Sequence, residues 1–147
     1  MARSPFLIGT HTERERAIRA AAARVAVGGT LLLLPGLARL AFGIPKDQDN
    51  GALRLLARLF GIRNVMLGAW AYMAQDQGPE QRRLCYQVNS VVDAVDVVAL
   101  AVAAVTGEGL VQGAIMGSVL GTSEVLAWWD LVADTQAPEP QGTVSLA

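Results

Sequence analysis

Apolar residues fall in four long blocks along the chain, each opened and closed by a polar or helix-breaking stretch. Residues 1–12 form a polar arm. Thr12 with Glu15 three positions on has the spacing of a capping box, in which a hydroxyl and a carboxylate each accept from a free amide at a helix start. The pattern predicts a first helix over 13–43. It is charged in its first turns (Arg14, Glu15, Arg16, Arg19), apolar over 25–38, and kinked or broken near Pro35. The IPKDQDN stretch at 44–50 reads as a loop. Further helices are predicted over 51–75, 80–106 and 109–133, separated by the DQGP stop at 76–79 and by Gly107. Residues 135–147, with two prolines, read as a disordered tail. The Val-rich stretch 91–98 could compete as a strand, but its length and context favour helix. Helices of this length joined by short loops predict one all-α domain over 13–134, a four-helix antiparallel up-down bundle.

The composition decides which solvent such a bundle suits. Of 147 residues, 52% are hydrophobic and 17% charged, below the roughly 25% charged of an ordinary soluble domain. Disorder of the whole chain is excluded. The single cysteine, Cys85, excludes a disulfide scaffold. A net charge of −1 gives no basic field for nucleic acid. The longest charge-free runs (25–38, 64–75, 97–107 and 109–123) fall short of the roughly 18 residues of a clean membrane span.

Three features nevertheless point to a transmembrane bundle. Gly109, Gly113, Gly117 and Gly121 recur every four residues and make a flat helix ridge, the small-xxx-small device of membrane helix packing. Trp70, Tyr72, Tyr86, Trp128 and Trp129 all fall at the same end of an up-down bundle, as an interfacial aromatic belt would. Arg3, Arg14, Arg16, Arg19, Arg82 and Arg83 gather at the end holding the N-terminus. Arg39, Lys46 and Arg54 lie at the other. The positive-inside rule then predicts a multi-pass protein of the bacterial cytoplasmic membrane, both termini cytoplasmic, with the lipid bilayer as its main partner.

The polar residues inside the helices are the informative ones. With Gly78 as pivot, Arg63 and Asp93 are each fifteen residues away and lie at one height. Asp96 lies between the heights of Arg63 and Arg58, on the helix face of Asp93. Asn89 shares that face, Asn64 follows Arg63, and Glu124 comes about one turn from the same level on the last helix. Thr30 is expected near Arg63 on the first helix. The candidate layer is therefore Arg58, Arg63, Asn64, Asn89, Asp93, Asp96 and Glu124. A lone charge at the bilayer centre costs roughly 2.5–3.5 kcal/mol on insertion scales, so these groups are expected to turn inward and pair, Arg63 with Asp93 or Asp96. With three acids against two bases, one carboxylate is expected to be left protonated. Such a layer can fix helix order without chemistry, or serve as a proton relay or polar ligand site.

Other chemistry has little to stand on. There is no glycine-rich phosphate loop. The only histidine, His11, sits in the polar arm, which leaves no Ser-His-Asp set and no His/Cys cluster for zinc or haem. Cys85 reads as a packing residue. A hard cation held by Asp93, Asp96 and Glu124 would compete with the arginines for the same acids. No cofactor is expected.

The GIP turn (Gly43, Ile44, Pro45) after a helix ending near Pro35, the run RLFGIRN from Arg58 to Asn64, Gly68, and Asp93 with Asp96 form a pattern. It resembles uncharacterised small four-helix integral membrane proteins common in actinobacteria. The resemblance spans about residues 20–133 and implies an inner-membrane, four-span protein without implying an activity. That family often carries Asp where this chain has Asn64, a departure that removes one acid from the layer.

The expected role is a non-enzymatic membrane component, either an accessory subunit or a homo-oligomer packing through the Gly113, Gly117 and Gly121 ridge. Rival readings are a proton-coupled carrier or small-solute permeation unit using the acids, a membrane enzyme on a lipid-like substrate, and a soluble helical bundle.

Overall fold

A computed structural model describes residues 12–106 and 111–135. The arm at 1–11 with His11, the segment 107–110 with Gly109, and the tail beyond Thr135 lie outside the described residues. What is described is helical throughout, with no strand: α1 (Glu13–Leu33), α2 (Leu37–Ala41), α3 (Gly51–Met73), α4 (Pro79–Val105) and α5 (Val111–Asp134). Short 3-10 turns at Lys46–Gln48 and Ala74–Asp76 join them.

Local chemistry sets each boundary. Thr12 Oγ1 accepts from the Glu15 amide at 3.1 Å while Glu15 Oε2 accepts from the Thr12 amide at 3.3 Å, closing the capping box. The expected first helix over 13–43 is two helices. Pro35 has no N–H and crowds the preceding turn, so α1 stops at Leu33 and α2 restarts at Leu37. Gly43, at φ 64°, ends α2 in a Schellman turn, with the Ile44 amide reaching back to Arg39 O and the Gly43 amide to Leu40 O. Asn50 caps α3 by accepting from the Leu53 amide at 3.0 Å. Beside it, Arg54 donates twice to Asp49 (2.9 and 3.1 Å). The hydrogen bonds from Arg54 hold the Asp49 carboxyl below the usual carboxylate range. Pro79 opens α4 at its first position, where its missing N–H costs nothing.

The four long helices run alternately up and down. α1 packs chiefly on α3 and α4 on α5, and α1–α5 and α3–α4 contacts close the set. At 1.5 Å per residue these helices are about 32–40 Å long. The inward faces of α1 and α3 are built largely from small and polar side chains. On α1 the buried residues include Ala17, Ala21, Arg24, Gly28 and Leu31. On α3 they are Ala57, Gly61, Asn64, Gly68 and Ala71. Both stripes advance by alternating steps of four and three, the rhythm of a helix seam. They meet glycine to glycine: a Cβ on Gly61 would lie 2.7 Å from Gly28 O and from Leu32 N, and one on Gly68 would lie 2.8 Å from Ala21 O. Those contacts bring the α1 and α3 backbones together in the manner of small-xxx-small packing.

Large apolar side chains point the other way. Val91, Val95, Val98 and Val102 on α4, Ile115 and Val119 on α5, and Leu55, Leu56 and Leu59 on α3 are all exposed. One buried cluster sits at the end holding Glu13: Ala17, Ala20, Ala21, Ala71, Ala74, Cys85, Tyr86, Trp128, Leu131 and Val132. A smaller one at the opposite end joins Leu31, Ala38 and Ala57, with Phe42 and Phe60 against them.

Two expectations need correction. The aromatic residues do share one end, but they do not form a belt. Tyr86 and Trp128 are fully buried and stacked at 6.0 Å, inside the core, and Trp70 packs against the same cluster. Only Tyr72 and Trp129 are exposed. Place along the chain sets their height but not the direction in which they point. The α5 glycines are likewise engaged within the protomer. Gly113 lies against the Phe42 backbone, Gly117 against the Leu100 side chain and Gly121 against Val97, so this ridge is not a free surface for a second copy.

Candidate functional site

Halfway along the bundle the seam turns ionic. Arg24, reached by α1 between Ala21 and Gly28, is 5% exposed. Its Nη1 donates to Asn89 Oδ1 and its Nη2 to Asp93 Oδ1, both on the buried face of α4. Asn89 is oriented in turn by its own amide, which donates to Cys85 O at 2.9 Å and lies 3.5 Å from Cys85 Sγ. The Arg24 guanidinium also stands 5.7 Å from the centre of the Trp128 ring on α5, a cation–π contact. One side chain thus ties α1 to both α4 and α5.

A second pair lies one turn further along α4. Arg63 donates from Nη1 to Asp96 Oδ1 at 3.0 Å and from Nη2 to Asp96 Oδ2, a two-pronged fork between α3 and α4. Its guanidinium stacks 4.7 Å from the Phe60 ring. This pair is more open than the first, with side chains 38% and 27% exposed. Asn64 is buried and bonds Phe60 O at 2.9 Å within its own helix. It fills the space over Gly28, and the contact is packing only.

The expected layer is therefore assembled with a different membership. Arg63 takes Asp96, the second of the two acids open to it. Asp93 takes Arg24, which sequence reasoning missed. Arg58 is on the exposed face of α3 and does not join. Thr30 is exposed and bonds Ala26 O in its own helix. Glu124 reaches the layer from α5, and its Oε2 is buried without a hydrogen-bond partner, as are Asp93 Oδ2 and Trp128 Nε1. Among the described residues no group of three or more His, Cys, Asp or Glu side chains is placed to hold a metal.

A polar clasp also closes the end that holds Glu13. Tyr86 donates its hydroxyl to Glu13 Oε1 at 3.0 Å and accepts from Gln75 Nε2 at 3.0 Å. Arg82 pairs with Glu13 at 3.3 Å, Arg14 with Asp76 at 3.0 Å, and Arg16 with Asp134. These contacts tie α1, α4, α5 and the turn that follows α3.

Comparison with known proteins returns no matching family model, no matching curated relative and no matching solved structure.

Proposed function

We propose that the chain is a non-enzymatic component of a bacterial cytoplasmic membrane. In this reading it crosses the bilayer four times with both termini cytoplasmic, and its Arg24–Asp93 and Arg63–Asp96 pairs fix the order and register of the helices. One observation carries it, the inverted distribution of side chains. Ion pairs and small residues face inward, with the Tyr86, Trp128 and Leu131 cluster at one end, while side chains such as Leu56 (63% exposed), Val95 (61%) and Val98 (62%) face outward along most of the length. Water penalises a continuous apolar exterior, and soluble monomers rarely expose apolar patches beyond a few hundred Å². Hydrocarbon favours it, and there charged groups turn inward and pair.

The helix lengths support the same reading, since a hydrocarbon core of about 30 Å is spanned by about 20 helical residues. Taken helix by helix, only α4 among the described residues is long and apolar enough to cross alone. The other three reach the bilayer as members of the bundle. Their charges either sit inside it or lie within about two turns of a helix end, as does Arg58 on the outer face of α3, from where long arginine side chains snorkel to the headgroups. The α5 ridge is occupied within the protomer, so assembly with another chain falls to the outer apolar faces.

Fractionation followed by alkaline carbonate extraction tests the proposal. The protein is expected in the carbonate-resistant pellet, released only by detergent. Appearance in the carbonate supernatant would contradict it and would make the exterior a surface for another protein.

A further inference from the structure

We propose that Glu124, half-buried on α5 with its Oε2 enclosed, is a proton-binding site in the middle of the bundle, carrying its proton at neutral pH beside Asp93, Arg24 and Trp128. The proposal deepens the reading of the polar layer given above and rests on its geometry.

Five ionisable side chains make up the layer. Arg24 is bonded to Asp93 and Arg63 to Asp96, which leaves Glu124 on α5 without a cation of its own. Fully ionised, the layer would hold one uncompensated negative charge. With Oε2 buried and unpaired, holding that charge costs more than binding a proton. Arg24 on α1, the cation that acts on Glu124, is bonded to Asp93 on α4, whose own negative charge opposes ionisation of Glu124. Arg63 on α3 is held by its fork to Asp96. Cys85 and Tyr86, two turns earlier, are the other titratable side chains buried on α4.

Independent of this count, the hydrogen-bond inventory has gaps in the same place. Glu124 Oε2 and Asp93 Oδ2 are buried acceptors with no donor. Trp128 Nε1 is a donor with no acceptor, on a side chain that is fully buried. Trp128 follows Glu124 by one helical turn on the same face, and its ring lies against the Arg24 guanidinium that bonds Asp93. Arg63 Nε is a further buried donor without a partner, and none of these donors bonds either acceptor; one added proton supplies the donor that the two acceptors lack. Protonated Glu124 becomes a hydroxyl donor, keeps a carbonyl oxygen as acceptor, and brings the layer to zero net charge. The proton comes from water and returns to it, and no other bond is made or broken.

Infrared difference spectroscopy of the purified full-length protein, in water and in deuterium oxide, tests this. At neutral pH the wild type is expected to show a protonated-carboxyl band that shifts on deuteration. The band is lost in Glu124→Gln and retained in Asp96→Asn. Glu124→Gln mimics the neutral acid and is expected to accumulate as the wild type does. Absence of the band from the wild type, or its survival in Glu124→Gln, would overturn the proposal. The wild-type spectrum alone decides the first point if the variant fails to fold. Carbonate release would remove the membrane reading and leave this measurement intact. A carbonate-resistant protein without the band would remove only the proton site.

Discussion

Arg24→Met is expected to prevent accumulation of the folded protein. The substitution keeps an unbranched apolar stem but removes the guanidinium, which leaves Asp93 buried with no counter-charge and Asn89 without its donor. Breaking a buried ion pair from one side costs about 3–5 kcal/mol, a large share of the roughly 5–15 kcal/mol that holds an ordinary domain together. Removing both partners is a different matter. Arg24→Met combined with Asp93→Leu replaces the pair with apolar volume, and such replacements are often neutral or stabilising. The double variant is therefore expected to regain most of the lost level in membranes, and the Arg24/Asp93 charge swap part of it. Arg63→Met is expected to do less harm, because that pair is partly open. Its rescue should come from a swap with Asp96 and not with Asp93. Quantitative immunoblotting of membranes and thermal melts in detergent read all of these.

The second large effect is expected at the crossing of α1 and α3. Gly61→Leu should separate the two helices, and Gly61→Ala should already lower stability. A single methyl there meets backbone atoms, Gly28 O and Leu32 N, both at 2.7 Å. Backbone atoms have no alternative rotamer, so the helices themselves must shift, at about 1–3 kcal/mol for overpacking of this kind. Gly29 provides the control. It follows Gly28 directly, yet a Cβ built on it meets nothing within 4 Å. Gly29→Ala is therefore expected to be neutral or to stabilise by up to about 1 kcal/mol through helix propensity. Paired melts of the two alanine variants separate close helix approach from a general intolerance of side chains in α1 and α3.

These sites show which parts of the architecture the sequence carried in legible form. Helix ends were readable because their signals are local: the capping box at Thr12, the DQGP stop and the GIP turn each act within a few residues. Heights were readable because the helical rise is constant, which is how Asp93, Asp96, Arg63 and Glu124 could be placed in one layer. Azimuth was harder. Tyr86 and Trp128 lie at the expected height but face the core, and Arg58 lies near the layer but faces outward.

Arg24 was missed because it follows the charged turns at Arg14–Arg19 and merges with them by eye. The rhythm of Ala17, Ala21, Arg24, Gly28 and Leu31, alternating steps of four and three, would have turned it inward. The α5 glycines do pack, within the protomer, but the glycine contact between α1 and α3 was not legible, for a related reason. An even four-residue spacing within α5 is visible in one glance, whereas Gly28, Gly61 and Gly68 belong to two helices. Their relation exists only once α1 and α3 are paired.

The central claim is that the outward apolar face meets lipid while the seam does not, and adjacent tryptophans can report on both at once. Trp129 is 60% exposed and Trp128 is fully buried. In a Trp70→Phe background, Trp128→Phe leaves Trp129 as the sole indole, and Trp129→Phe leaves Trp128. Reconstitution into vesicles of brominated phospholipid, a contact quencher of indole fluorescence, should strongly quench the protein that retains Trp129 and leave the one that retains Trp128 bright. Quenching of neither, or of both alike, would contradict the account.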